Sequence, residues 1–206
     1  MTTQGLLGFH YNGIDKLAYN HADSNPDTLG LRTLRELRQV DNWDTVRKRI
    51  DTLTTIPESR KLGDLDGIVS SEIRRYFPDL KYRFEPKDYY QLMQPLQGSL
   101  KPYLDGKLAF MPDARDFIHD SLHCDWAYIA NLDRNELEVW KGNQIEPDHE
   151  DNRYQDEPNR YGNKANTKGY YPCAMVRNYD LNELPNAGRF LTYFSCSGDR
   201  SRSERE

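Results

Sequence analysis

The dipeptide Asn12-Gly13 restricts this chain more than any other feature. It sits between Leu6-Leu7-Gly8-Phe9-His10-Tyr11, with large residues at 7, 9 and 11, and a second run, Ile14 to Tyr19. A two-residue hairpin turn needs positive φ at both central positions, which Asn-Gly supplies at little steric cost. The chain is therefore expected to open as an antiparallel ribbon. Its returning strand delivers the segment Tyr19-Asn20-His21-Ala22-Asp23-Ser24-Asn25-Pro26-Asp27 to the ribbon's end, on rigid support.

Further along, Pro26-Asp27-Thr28 can open a helix carrying Leu31, Leu34, Leu37 and Val40 on one stripe. Trp43, Val46, Ile50 and Leu53 predict a second, capped by Asp41 or Asn42 and stopped at Ile56-Pro57. Shorter helices are expected at 68–77, 88–93 and 112–122. Trp126 to Leu132 is apolar on nearly both faces, as an interior strand should be. After a turn at Asp133-Arg134-Asn135, Glu136 to Trp140 returns with Leu137 and Val139 inward and Glu136 and Glu138 outward. Residues 142–169 read as a long polar loop, Cys173 to Val176 as another strand, and 191–206 as a flexible tail beyond a single domain of residues 1–190. Two hairpins, a further strand and intervening helices give an α+β fold with an antiparallel or mixed sheet, a layering compatible with that of N-terminal-nucleophile hydrolases.

Composition narrows the function classes. At 206 residues the length fits one domain, and 36% hydrophobic against 30% charged residues implies a very polar surface. A net charge of -5 gives no general attraction to nucleic acid. No stretch approaches the length of a membrane span, and the N-terminus lacks a basic region followed by an apolar run, so a cytoplasmic protein is expected. Cys124, Cys173 and Cys196 form no Cys-x-x-Cys spacing and are expected as reduced, packed thiols. No Gly-x-Gly-x-x-Gly or Gly-x-x-x-x-Gly-Lys loop offers a nucleotide-phosphate cradle.

Gly5-Leu6-Leu7-Gly8-Phe9, Tyr19-Asn20-His21-Ala22-Asp23-Ser24 with Pro26 and Leu29-Gly30 form a first block. A second comprises Asp120-Ser121-Leu122, Cys124 to Ile129, Leu132-Asp133 and Leu137-Glu138-Val139; Tyr171-Pro172 with Leu181 to Pro185 forms a third. In these blocks the chain resembles a family of uncharacterised fungal and bacterial proteins. The resemblance implies a shared fold and a shared loop, without an activity. Gln4 stands where that family's pattern has an arginine, and Asn25 and His123 where it has aromatics.

The segment at 19–24 is the main candidate site. Tyr19, Asn20, His21 and Asp23, with Asp120, are expected to bind a small molecule. In a hydrolytic alternative His21 acts as general base, Asp23 orients it and Ser24 is the nucleophile, or Thr2 is, once Met1 is removed. The same residues also fit a purely architectural role, Asn20 and Asp23 bonding backbone amides, Ser24 or Asp27 capping the next helix, and His21 completing the loop's hydrogen bonds. His119, His123 and Cys124 have zinc-ligand chemistry if a helix puts the two histidines on one face. The Tyr-rich loop, with Tyr154, Tyr161, Tyr170, Tyr171, Arg153, Arg160, Lys164 and Lys168, could dock a protein partner or simply stay solvated.

Overall fold

The computed structural model describes residues 2–57, 94–147, 152–155 and 168–197. The helices expected at 68–77 and 88–93, much of the 142–169 stretch and everything after 197 lie outside the described residues. Seven strands are present among them: β1 (Gln4–Tyr11), β2 (Ile14–Asn20), β3 (Thr54–Pro57), β4 (Phe110–Asp113), β5 (Cys124–Asn131), β6 (Glu136–Lys141) and β7 (Ala174–Asp180). The helices are α1 (Leu31–Leu37), α2 (Trp43–Thr52), α3 (Lys101–Leu104) and α4 (Ala187–Ser197). The fold is α+β.

The opening ribbon forms as its turn demands. Tyr11 pairs with Ile14, and Asn12 and Gly13 take φ of 53° and 71°. Asp133, from the second hairpin's turn, accepts the Asn12 and Gly13 backbone N–H groups at 2.9 and 3.0 Å, so one turn caps the other. The main sheet has the order β2-β1-β5-β6-β7. Only β1 and β5 run parallel, because the chain leaves β2, builds α1 to α3 and returns to the far side of β1. β3 and β4 make a separate two-stranded parallel sheet.

β5 is the central strand and is covered on both faces, which explains its continuous apolar run. Leu7, Phe9, Tyr128, Ala130, Leu137 and Val139 face Leu34, Leu37, Ile50 and Phe190 of the helical layer. Leu6, Leu17, Ala127, Ile129 and Trp140 belong to a second core with Ile118, Tyr154 and Cys173. Asn42 caps α2 by accepting the Thr45 N–H. At the other end of α2 the Lys16 ammonium donates to the carbonyls of Ile50 and Leu53 at 2.6 and 2.7 Å, satisfying carbonyl groups a helix end leaves open.

Four expectations are corrected. Residues 112–122 are not a helix: Pro112 belongs to β4, and a short 3-10 turn, Arg115–His119, follows. Residues 191–197 are not tail but the end of α4, which Asn186 starts by accepting the Arg189 N–H, and Phe190 and Phe194, four apart, pack ring to ring at 5.1 Å on the core. Glu138 does not face solvent: it is wholly buried. The first helix begins as a single π-type turn, Pro26–Gly30, with Asn25 at its N-cap and no side-chain cap bond, so neither Ser24 nor Asp27 caps it.

Candidate functional site

The bend at 19–24 has two sides with different chemistry. Its inner side is knitted into the sheet. Asn20, at the end of β2, is buried and donates its amide to the Ser24 hydroxyl at 2.8 Å and to the Ala22 carbonyl. Ser24 is completely buried, and its N–H is shared by the carbonyl and hydroxyl of Thr3. The Tyr128 hydroxyl, reaching up from β5, donates to the Ser24 carbonyl at 3.0 Å. Burial, with Asp27 nearby, pushes the Tyr128 phenol well above its usual range, so it remains a donor. Gly5 permits this packing, since a Cβ there would lie 2.2 Å from the Trp126 carbonyl and 2.8 Å from the Ser24 Cβ. Asp23 takes φ of 57°, and its carbonyl accepts the Leu29 N–H and the Thr28 hydroxyl.

The outer side is different. His21 and Asp23 are exposed and Tyr19 half-buried. The Tyr19 hydroxyl lies 3.2 Å from His21 Nδ1, and the Tyr19 ring sits edge-on to Phe117 at 5.3 Å. Gln97 accepts the His21 backbone N–H at 2.9 Å, pinning the bend from the far side. Among the described residues the imidazole's hydrogen-bonding neighbour is thus Tyr19, and no bond joins it to Ser24 or Asp23. The Ser24 hydroxyl, expected as a nucleophile beside His21, is buried and accepts the Asn20 amide, and the structure does not bring it to the imidazole. Asp120 is brought to a neighbouring segment, half-buried, where it takes the His123 Nδ1 at 2.9 Å.

At the opposite end of β2 the fold assembles a charged cluster that no local pattern announced. His10 on β1 and Asp15 on β2 face each other, with Nδ1 2.7 Å from the carboxylate. The Tyr154 hydroxyl donates to the other Asp15 oxygen at 2.7 Å. Arg153 bonds Glu138 at 2.7 Å and Asp15 at 3.3 Å, joining β6 to β2 across the two strands between them. Its guanidinium also lies over the rings of Trp140 and Tyr154, 5.0 and 4.7 Å from their centroids. Glu138 completes its shell with the Asn131 amide at 2.6 Å and the Trp140 indole at 3.0 Å. Burial alone would raise the Asp15 carboxyl, but the His10 bond, the Arg153 charge and the Tyr154 hydroxyl hold it below its ordinary 3.8. Burial and the adjacent Asp15 push the Tyr154 phenol well up.

Comparison with known proteins finds no family model, curated sequence or solved structure that matches this chain. The reading of its sites therefore rests on geometry alone.

That geometry disperses two further candidates. His119 is buried edge-on against Tyr154, 5.7 Å between ring centroids, His123 points to Asp120, and Cys124 starts β5. The helix that would align the two histidines is replaced by the 3-10 turn, and among the described residues no group of three or more His, Cys, Asp or Glu is placed to hold a metal ion. Of the Tyr-rich stretch, Arg153 and Tyr154 are built into the second core rather than offered to a partner; Tyr161, Arg160 and Lys164 lie outside the described residues. A cleft of about 250 Å³ between α1, α2 and α3 is lined by Glu36, Arg49 and Lys101. Its half-buried Glu36 carboxylate accepts the Ser99 hydroxyl and the Leu100 N–H at 2.7 Å each. No described helix is long and apolar enough to cross a membrane.

Proposed function

We propose that this protein binds a small polar molecule on the outer side of the 19–24 bend, with Tyr19, His21 and Asp23 as its contacts. One observation carries the reading: the bend is fixed from beneath by Asn20, Ser24, Thr3 and Tyr128, and that fixed base carries the exposed His21 and Asp23 with the Tyr19 hydroxyl beside the imidazole. A rigid base beneath outward polar groups lowers the ordering cost of binding. Imidazole nitrogens can donate or accept, a phenol does both and a carboxyl oxygen accepts, which suits a ligand rich in hydroxyl, amine or amide groups. Untargeted mass spectrometry of molecules released from the purified protein tests the proposal. A ligand present in the parent protein and lost from a folded His21→Ala variant is the expected result.

A hydrolytic reading is favoured by a second observation. Thr3 is bonded to Ser24, and the Gln4 N–H reaches Asp125 at 2.8 Å, which holds the start of β1 against the bend with Thr2 exposed. In a mature chain that starts at Thr2, the α-amine would take the hydroxyl proton as Oγ attacks an amide or ester carbonyl. N-terminal mass analysis decides whether Thr2 ever carries a free amine, and retention of Met1 in active protein removes this reading.

A further inference from the structure

Cys124 and Cys173 are separated by 49 positions in sequence, yet the Cys173 thiol lies 3.5 Å from the Cys124 carbonyl oxygen. The Cys124 thiol in turn donates to the Trp126 carbonyl at 3.8 Å. Both are completely buried and neither is bonded to another sulfur. They come from different strands: Cys124 opens β5, and Cys173 immediately precedes β7, with β6 between. Gly142, just past the end of β6, explains how they meet. A Cβ at that position would stand 1.9 Å from the Cys124 carbonyl oxygen, so any other residue would push the intervening chain off this spot.

Both backbones are tied down. The Cys124 N–H donates to the Asp120 carbonyl at 2.9 Å and the Cys173 N–H to the Ile118 carbonyl at 3.0 Å. On its other side the Cys173 carbonyl accepts the Asn152 amide at 3.0 Å. Two thiols buried in one cluster on fixed backbones, one of them against the other residue's carbonyl, present a high effective concentration to each other, the condition under which intramolecular exchange outcompetes a second external thiol.

We infer that Cys124 and Cys173 join as an intramolecular disulfide when the chain meets a low-molecular-weight disulfide, tying the start of β7 to the start of β5. One cysteine, as its thiolate, attacks a sulfur of the small disulfide and releases one small thiol. The second cysteine then displaces the other half from the mixed disulfide. Two S–H bonds are lost and one protein S–S bond forms, while the two electrons and two protons end on the two small thiols. Burial and the neighbouring Cys173 push the Cys124 thiol well above its ordinary range, so in the folded state the reaction is slow and waits on local opening. The bond would close a long loop that includes the polar 142–169 stretch, where the restriction of the unfolded chain is large.

The test uses the full chain, reduced and unfolded, then refolded in a glutathione redox buffer. It is quenched with acid, unfolded again, alkylated and digested. In a parallel arm the reduced native protein is held with glutathione disulfide and processed identically, so that a poor refolding yield does not remove the readout. The expected product is a peptide pair joined through Cys124 and Cys173, lighter than the two peptides by two hydrogens. The thermal midpoint should rise by roughly 5–10 °C over the reduced protein. Cys124→Ser and Cys173→Ser should each abolish the cross-link and the rise, whereas Cys196→Ser should leave both. Folded protein from the refolding arm, or native protein held until the exchange has reached its end point, in which Cys124 and Cys173 both accept the alkylating agent, carry glutathione singly, or are joined instead to Cys196 would overturn the inference.

Discussion

The two ends of β2 handle polar groups in opposite ways. At its far end the 19–24 bend uses neutral amide and hydroxyl groups that bond within a few residues or to the neighbouring strand, and it leaves its ionisable side chains outside. At its near end Asp15 is drawn into a cluster whose partners come from β1, β6 and the segment at 152–155, with Arg153 bridging 138 positions of sequence. The lesson is that density of chemical groups along a chain does not mark the place where charge is buried. A bend rich in hydrogen-bonding residues can satisfy itself locally. Buried charge needs partners that only the folded sheet can gather.

The largest effect should come from the charged end. Arg153→Met leaves Glu138 and Asp15 without their cation, and loss of one partner of a buried pair costs roughly 3–5 kcal/mol, measurable by urea unfolding. Adding Glu138→Gln to that variant should restore part of the loss, because the orphaned charge is then gone. No loss in Arg153→Met would show that the cluster is merely surface decoration.

At the bend the expected cost is smaller. Ser24→Ala deprives the buried Asn20 amide of an acceptor, and an unsatisfied buried donor costs about 1–3 kcal/mol in the same measurement. Should Ser24→Ala prove as stable as the parent, the inner side would not be the rigid base that the binding proposal needs.

The contrast also has a pH signature. The Asp15 carboxyl is depressed in the folded state, so its contribution to stability is fully present above the ordinary value of 3.8 and is lost as pH falls through the folded value. Unfolding free energy should therefore fall with acidification below about pH 3.8 more steeply in the parent than in Asp15→Asn. Parallel slopes in the two proteins would contradict the placement of Asp15 among His10, Arg153 and Tyr154.

How much of this was legible beforehand follows from the range of the interactions. The Asn12-Gly13 turn, the Asn42-capped helix and the doubly covered β5 rest on local rules, and the structure has them where the sequence placed them. The α4 helix left a signal that could have been read: Asn186 after Pro185, then Phe190 and Phe194 four apart. Glu138 left none. Its alternation with Leu137 and Val139 is the pattern of a half-exposed strand, and only the docking of Arg153 and Tyr154 over that face makes it buried. The Cys124 and Cys173 contact is equally silent, since it depends on Gly142 letting two distant strands close up.

His21→Ala is the smallest perturbation and the most direct measurement. It should leave the unfolding free energy within about 0.5 kcal/mol of the parent, as expected for an exposed side chain. The same protein should lose the small molecule that co-purifies with the parent, while folded Arg153→Lys retains it. A His21→Ala protein destabilised as much as Ser24→Ala, with its bound molecules unchanged, would mean that the imidazole braces the bend and contacts nothing from outside.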